Sequence, residues 1–254
     1  MRLFLRLAIA IAITALISSF LSPNLGFSEA SLATYVGFLV ALVVVLVSFE
    51  VPAILEHRRI TGEVGRLRVL PWALVVAALF VLVSRLAALQ PGYLWGVVLG
   101  VVFVRTDTSR DEGREQAAGA LWTLMVALLA WLALGWVRGP GGTESTFFNV
   151  AAQTALAAIV VSALEAVAFG LMPFRFMPGV AIYRWNRVIW AVLFGVSLFA
   201  FFHILIGPTS GYLSTLTGPA WLAALGLFAA FGAFTVLFWA WFRFRPSPVE
   251  ETEG

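Results

Sequence analysis

Residues 147–179 read FFNVAAQTALAAIVVSALEAVAFGLMPFRFMPG, and the contrast between the two parts of this stretch decides the fold. Over 147–171 the chain holds a single ionisable residue, Glu165, in a mostly apolar run. As a helix rising ~1.5 Å per residue, such a run is long enough to cross a hydrocarbon layer ~30 Å thick. The run then ends in Phe169-Gly170-Leu171-Met172-Pro173-Phe174-Arg175-Phe176-Met177-Pro178-Gly179. Pro173 and Pro178 remove two amide donors and disfavour helix, so irregular backbone here must be buried in protein or lie at water.

The same apolar signature recurs along the chain, at about residues 3–21, 32–55, 71–89, 117–137, 188–206 and 220–242. A shorter run at 93–104 reads as a short or re-entrant element. Apolar residues make up 61% of the 254 and charged residues 11%, far from the ~25% charge of a soluble domain. The expectation is an all-α, polytopic transmembrane helical bundle of about seven or eight membrane segments. Residues 1–245 form a single transmembrane domain, because no interior polar stretch is long enough to fold separately, and 246–254 form a polar, disordered cytoplasmic tail.

Every one of the 16 basic residues is arginine. Counted over alternate loops, Arg2, Arg6, Arg58, Arg59, Arg66, Arg68, Arg105, Arg110, Arg114, Arg175, Arg184, Arg187, Arg243 and Arg245 share one side, Arg138 falls on the other, and Arg85 lies within a span. That asymmetry places the N- and C-termini in the cytoplasm of a bacterial-type plasma membrane. It also accounts for the net charge of +3 without a nucleic-acid partner. Membrane lipids are the implied surroundings. Arg2, Arg6 and the first apolar run also resemble a secretory signal, but no clean small-x-small site follows. With no cysteine, disulfides and thiolate-bound metals are excluded.

The longer loops are expected at 56–68, 105–116, 138–146, 173–187 and 207–219. The charged segment 106–115 reads as a solvated cap that places acids near a helix N-terminus. Trp72, Trp95, Trp185 and Trp241 lie near span ends, where indoles anchor at the interface.

The proline segment resembles the signature of the bacterial FGLLP motif-containing membrane proteins. More distantly it is similar to the F-N-L-L-P-x-x-P-L-D-G segment of site-2-protease-like intramembrane metallopeptidases. The remnants are Phe169, Gly170, Pro173, Pro178 and Gly179, with Pro178 at the position of the zinc-binding aspartate. Phe49-Glu50-Val51-Pro52-Ala53 resembles their H-E-x-x-H, keeping the glutamate as Glu50 while Phe49 and Ala53 hold the histidine positions. Ala118-Gly119-Ala120-Leu121-Trp122-Thr123-Leu124 resembles their A-G-P-L-x-N. The resemblance implies a protease-like core without its metal ligands: no zinc, no other cofactor, and no catalysis by the usual route.

Only His57 and His203 are histidines. His57 is expected in the cytoplasmic loop after the second span. His203 is expected deep in a span as a hydrogen-bonded packing residue, so the two are not placed to share a metal. Ionisable residues within spans are Glu50, Glu165, Arg85 and His203, and such groups are functional candidates because hydrocarbon penalises them. Glu50 and Glu165 fall in the cytoplasmic half, Arg85 and His203 toward the outer face, and Arg85 can snorkel outward. Glu165 lies one turn before Phe169 and about 12 Å above Pro173. Its expected hydrogen-bond partners are backbone loosened at the prolines, polar groups on adjacent helices or an arginine from the following loop.

These residues lead to the expectation of a non-catalytic membrane protein that binds or positions another membrane protein, since a protease-like core that loses its chemistry keeps its groove. The alternative is a transporter or proton-coupled component using Glu50 and Glu165, although no internal repeat or matching pair of broken spans points to one. An active intramembrane metalloprotease ranks third, for want of zinc ligands.

Overall fold

The computed structural model describes residues 2–20, 26–62, 109–138, 146–173 and 177–206. All of these but Ile206 belong to one compact unit, Met1–Leu205. The expected runs 71–89, 93–104 and 220–242, the tail, Arg85, Trp72, Trp95 and Trp241 lie outside the described residues.

Six α-helices follow in order: α1 (Arg2–Ser19), α2 (Glu29–Thr61), α3 (Ser109–Val137), α4 (Phe147–Gly170), α5 (Pro178–Trp185) and α6 (Arg187–Ala200). The last runs on into a π-helical turn, Phe201–Ile206. No strand occurs among the described residues. Four helical stretches are long and apolar enough to cross a membrane: Glu29–Thr61, Asp111–Val137, Phe147–Gly170 and Arg187–Leu205. α1 contributes a shorter apolar stretch, Ala8–Ser19.

α2 starts where Ser28, in extended conformation, accepts a hydrogen bond from the Ser31 amide. Glu29 in the first turn and Arg58 and Arg59 in the last turn suit the helix dipole. Gly62, at φ 75°, closes the helix by donating its amide to the Arg58 carbonyl. The helix passes through Pro52 instead of ending near it. A proline removes one internal hydrogen bond, and here helix packing on both sides of it outweighs that loss. The loop expected from residue 56 is therefore helix as far as Thr61.

α2, α3 and α4 pack against one another as a three-helix core. Gly37 of α2 touches Ala151 and Thr154 of α4. Gly119 of α3 lies so close to α2 that a Cβ there would sit 2.7 Å from the Phe49 carbonyl oxygen. Small residues at such crossings let helix backbones approach closely, which is how helices associate in lipid. Ser48 on α2 reinforces the crossing by donating to Thr123 Oγ1 on α3 at 3.2 Å. Contacts of Phe49 with Gly119 and of His57 with Glu115 make α2 and α3 antiparallel.

The loop expected over 173–187 is also partly helical. Pro178 occupies the first turn of α5, where its missing amide costs nothing. Asn186 ends α5 by donating its amide to the Ile182 carbonyl, and starts α6 by accepting from the Val188 and Ile189 amides.

Candidate functional site

The three segments that resemble protease motifs meet in space. Leu171 and Val167 pack with Ala117, Ala120, Ile182 and Leu193 in one buried cluster, and Phe49 closes on its edge. Gly179 abuts the Leu171 carbonyl so closely that no Cβ would fit between them. That carbonyl, freed where α4 ends, accepts a hydrogen bond from the Trp190 indole at 2.8 Å. Trp190 in turn stacks on Phe194 and meets Tyr183 edge-on. The carbonyl freed where α4 ends is thus satisfied within the protein, while Pro173 beyond it is exposed. Ala53 is fully buried, while Pro178 is half-buried at the start of α5.

Glu50 and Glu165 are both buried, at 9% and 1% exposure. Thirteen residues separate Glu50 from Gly37, and Glu165 lies eleven beyond Thr154. With α2 and α4 running parallel from the Gly37 contact, both carboxyls stand about 17–20 Å from it, at one level. Glu50 Oε2 and Glu165 Oε1 have no hydrogen-bond partner among the described residues, and neither does Gln116 Oε1 on α3. Among the described residues, Glu165 Oε1 therefore meets none of the partners expected near the prolines, and Trp190 takes the Leu171 carbonyl.

The structure departs from further expectations. His57 is not in a loop but inside α2, 1% exposed, with Nδ1 2.8 Å from Glu115 Oε1. Glu115 belonged to the segment read as a solvated cap, yet it is 2% exposed. Asp111 and Glu112 do occupy the first turn of α3, as expected of a cap. Next to the His57–Glu115 pair, Glu56 of α2 pairs with Arg114 of α3, and with Arg59 at 3.6 Å. Two adjacent residues on each helix are thus cross-paired. His203 is neither buried nor hydrogen-bonded among the described residues: it is exposed and stacks on Phe199 with centroids 5.5 Å apart. Trp185, expected at the interface, packs on the buried cluster.

The spacing in the sequence contained a usable signal for the missed pair. Glu50 and His57 are seven residues apart, two turns along one helix face, provided α2 continues past Pro52. Glu115, Gly119 and Thr123 repeat at four on α3, a spacing that puts them on the side packed against α2.

The described arginines sort by end of the bundle. Arg58, Arg59 and Arg114 lie together, with Trp185 of α5 packed against Gly113 beside them. Arg138 lies at the opposite end of α3, about 36 Å from Arg114. Among the described residues, no group of three or more His, Asp or Glu side chains is placed to hold a metal ion. No family model, curated protein or solved structure matches the chain.

Proposed function

We propose that the protein is a non-catalytic, multi-pass membrane protein of seven or eight segments, with both termini cytoplasmic, that binds or positions another membrane protein. What supports this is the meeting of Phe49, Ala117, Ala120 and Leu171 in one apolar cluster: the segments that resemble a catalytic core serve here as packing. α6 is tied to that cluster through Trp190 and turns Val188, Val192, Val196 and Phe199 outward, with Gly195 open between them. These residues recur at helical spacing on one face, and a glycine within such a stripe lets another helix approach.

Photoreactive residues at Val192 and Phe199 should capture one defined membrane protein in native membranes, while a control at Leu129 on the exposed side of α3 should not. Lipid adducts alone at all three positions would defeat the proposal. Stoichiometric zinc in the purified chain, lost on replacing Glu50 or His57, would revive the protease. Reporter fusions after Arg187 and Gly254 should read cytoplasmic, and one near Thr215 external.

A second reading, a proton-coupled component, is favoured by one observation: Glu50 and Glu165 stand level on adjacent helices, each with an oxygen that has no partner among the described residues. Under it, Glu165→Gln abolishes activity and leaves the fold intact.

A further inference from the structure

An open groove of ≈ 470 Å³ runs along α2 beside α3. Its walls are Val47, Val51 and Leu55 on one helix and Ala118 and Trp122 on the other, and it ends at Glu56 and Arg59. Val47, Val51 and Leu55 repeat every four residues and are all exposed, so they form one continuous apolar rail. From Val47 to Arg59 the groove is about 18 Å long. That matches one leaflet, half of a ~30 Å hydrocarbon layer, and falls well short of what a spanning helix would need.

The charge at its end is selective. Glu56 is the carboxylate lining the groove, and Arg114 already pairs with it. Arg59 meets Glu56 only at 3.6 Å, with a side chain 79% exposed, so most of its guanidinium donors face outward. A surface pair of that kind yields readily to a stronger acceptor. Arg58, also exposed, adjoins it in the last turn of α2. A helix flanked by basic residues on this side would meet like charge here, whereas a phosphate would meet a matched donor.

We infer that this groove binds one anionic phospholipid from the leaflet on the arginine-rich side, with an acyl chain along Val47, Val51, Leu55 and Trp122 and the phosphate at Arg59.

The test uses the full-length chain, reconstituted in nanodiscs of equal phosphatidylglycerol and phosphatidylcholine and then released for native mass spectrometry. Wild type should retain one phosphatidylglycerol per chain in preference to phosphatidylcholine. Arg59→Gln should lower that retention about fivefold, the effect of one arginine at a membrane surface. Val51→Trp, which fills the groove and keeps Arg59, should abolish it. Ala118→Leu, narrowing the groove from the other wall, repeats that test should Val51→Trp fold poorly. Retention unchanged in the groove-filling variants would overturn the inference, because attraction to surface charge needs no groove. So would a photoreactive residue at Leu55 that captures a protein in native membranes in place of the lipid.

Discussion

Glu115 and Glu165 are buried almost equally, at 2% and 1% exposure, on neighbouring helices of one core, yet they are treated in opposite ways. At the arginine-rich end, Glu115 is held by His57 while Glu56 beside it is held by Arg114. In the interior, Glu165 Oε1 and Glu50 Oε2 find no partner among the described residues. A buried polar group that is satisfied adds to stability and specificity, and one that is not costs the fold free energy. The first pair of acids is therefore explained by architecture. The second is not, and an unexplained cost inside a membrane core is where function is to be sought.

The largest effect separating the two regions is expected from Glu115→Leu. It removes the buried His57–Glu115 hydrogen bond, at a cost of about 3 kcal/mol, in the range measured when one member of a buried pair is removed. The tryptophan-fluorescence melting temperature in detergent should fall accordingly. A His57→Leu/Glu115→Leu double variant should recover much of the loss, because neither half of the pair then remains to be buried without the other. A melt unchanged by the single substitution would mean that the pair is incidental and that the contrast with Glu165 has no energetic content.

Gly119→Ala probes the frame that sets both regions in place. The added methyl would stand 2.7 Å from the Phe49 carbonyl and force α2 and α3 apart, costing about 2 kcal/mol, as overpacked cores do. Gly135→Ala on the same helix meets nothing within 4 Å and should gain slightly, through better helix propensity. If both alanines behaved alike, the close crossing at Phe49 would not be what positions Glu50.

How much of this was legible in the sequence depended on the kind of force involved. Apolar length alone located α4 at Phe147–Gly170, against an expected 147–171, because crossing hydrocarbon demands it and Pro173 marks where it must stop. Local rules failed where tertiary contacts overrode them. A loop is expected from residue 56, where charged residues begin, but α2 is fastened there by His57–Glu115 and Glu56–Arg114, two bonds to a segment more than fifty residues away. Glu115 looked solvated because its neighbours Asp111, Glu112 and Arg114 are charged. Nothing nearby in the sequence announces that one residue of the run faces inward. Trp190 was missed for a related reason, since its role is to satisfy a carbonyl released nineteen residues earlier. Glu50 and Glu165 were found as buried acids because their neighbours are mostly apolar, yet that Glu50 Oε2 and Glu165 Oε1 meet no partner among the described residues depends on three helices at once.

Glu165→Leu should have the smallest effect, and its sign carries the most information. Had Glu165 bonded the backbone loosened at Pro173, as its spacing suggests, leucine would strand that backbone and lower stability. The Leu171 carbonyl is instead engaged by Trp190, and Glu165 Oε1 has no partner to strand among the described residues. Leucine is close to glutamate in size and removes an unsatisfied oxygen, so Glu165→Leu should melt at the wild-type temperature or slightly above, within about 1 kcal/mol. Accumulation in membranes should likewise be unchanged. Measured beside Glu115→Leu, this gives the same substitution at the same burial with opposite outcomes. A loss near 3 kcal/mol at Glu165 would mean that the interior acid is satisfied after all, and the proton-coupled reading would lose the observation that favours it. A stable Glu165→Leu protein that fails in its cellular role would instead place the function at this carboxyl, since stability would then have been given up there for something other than the fold.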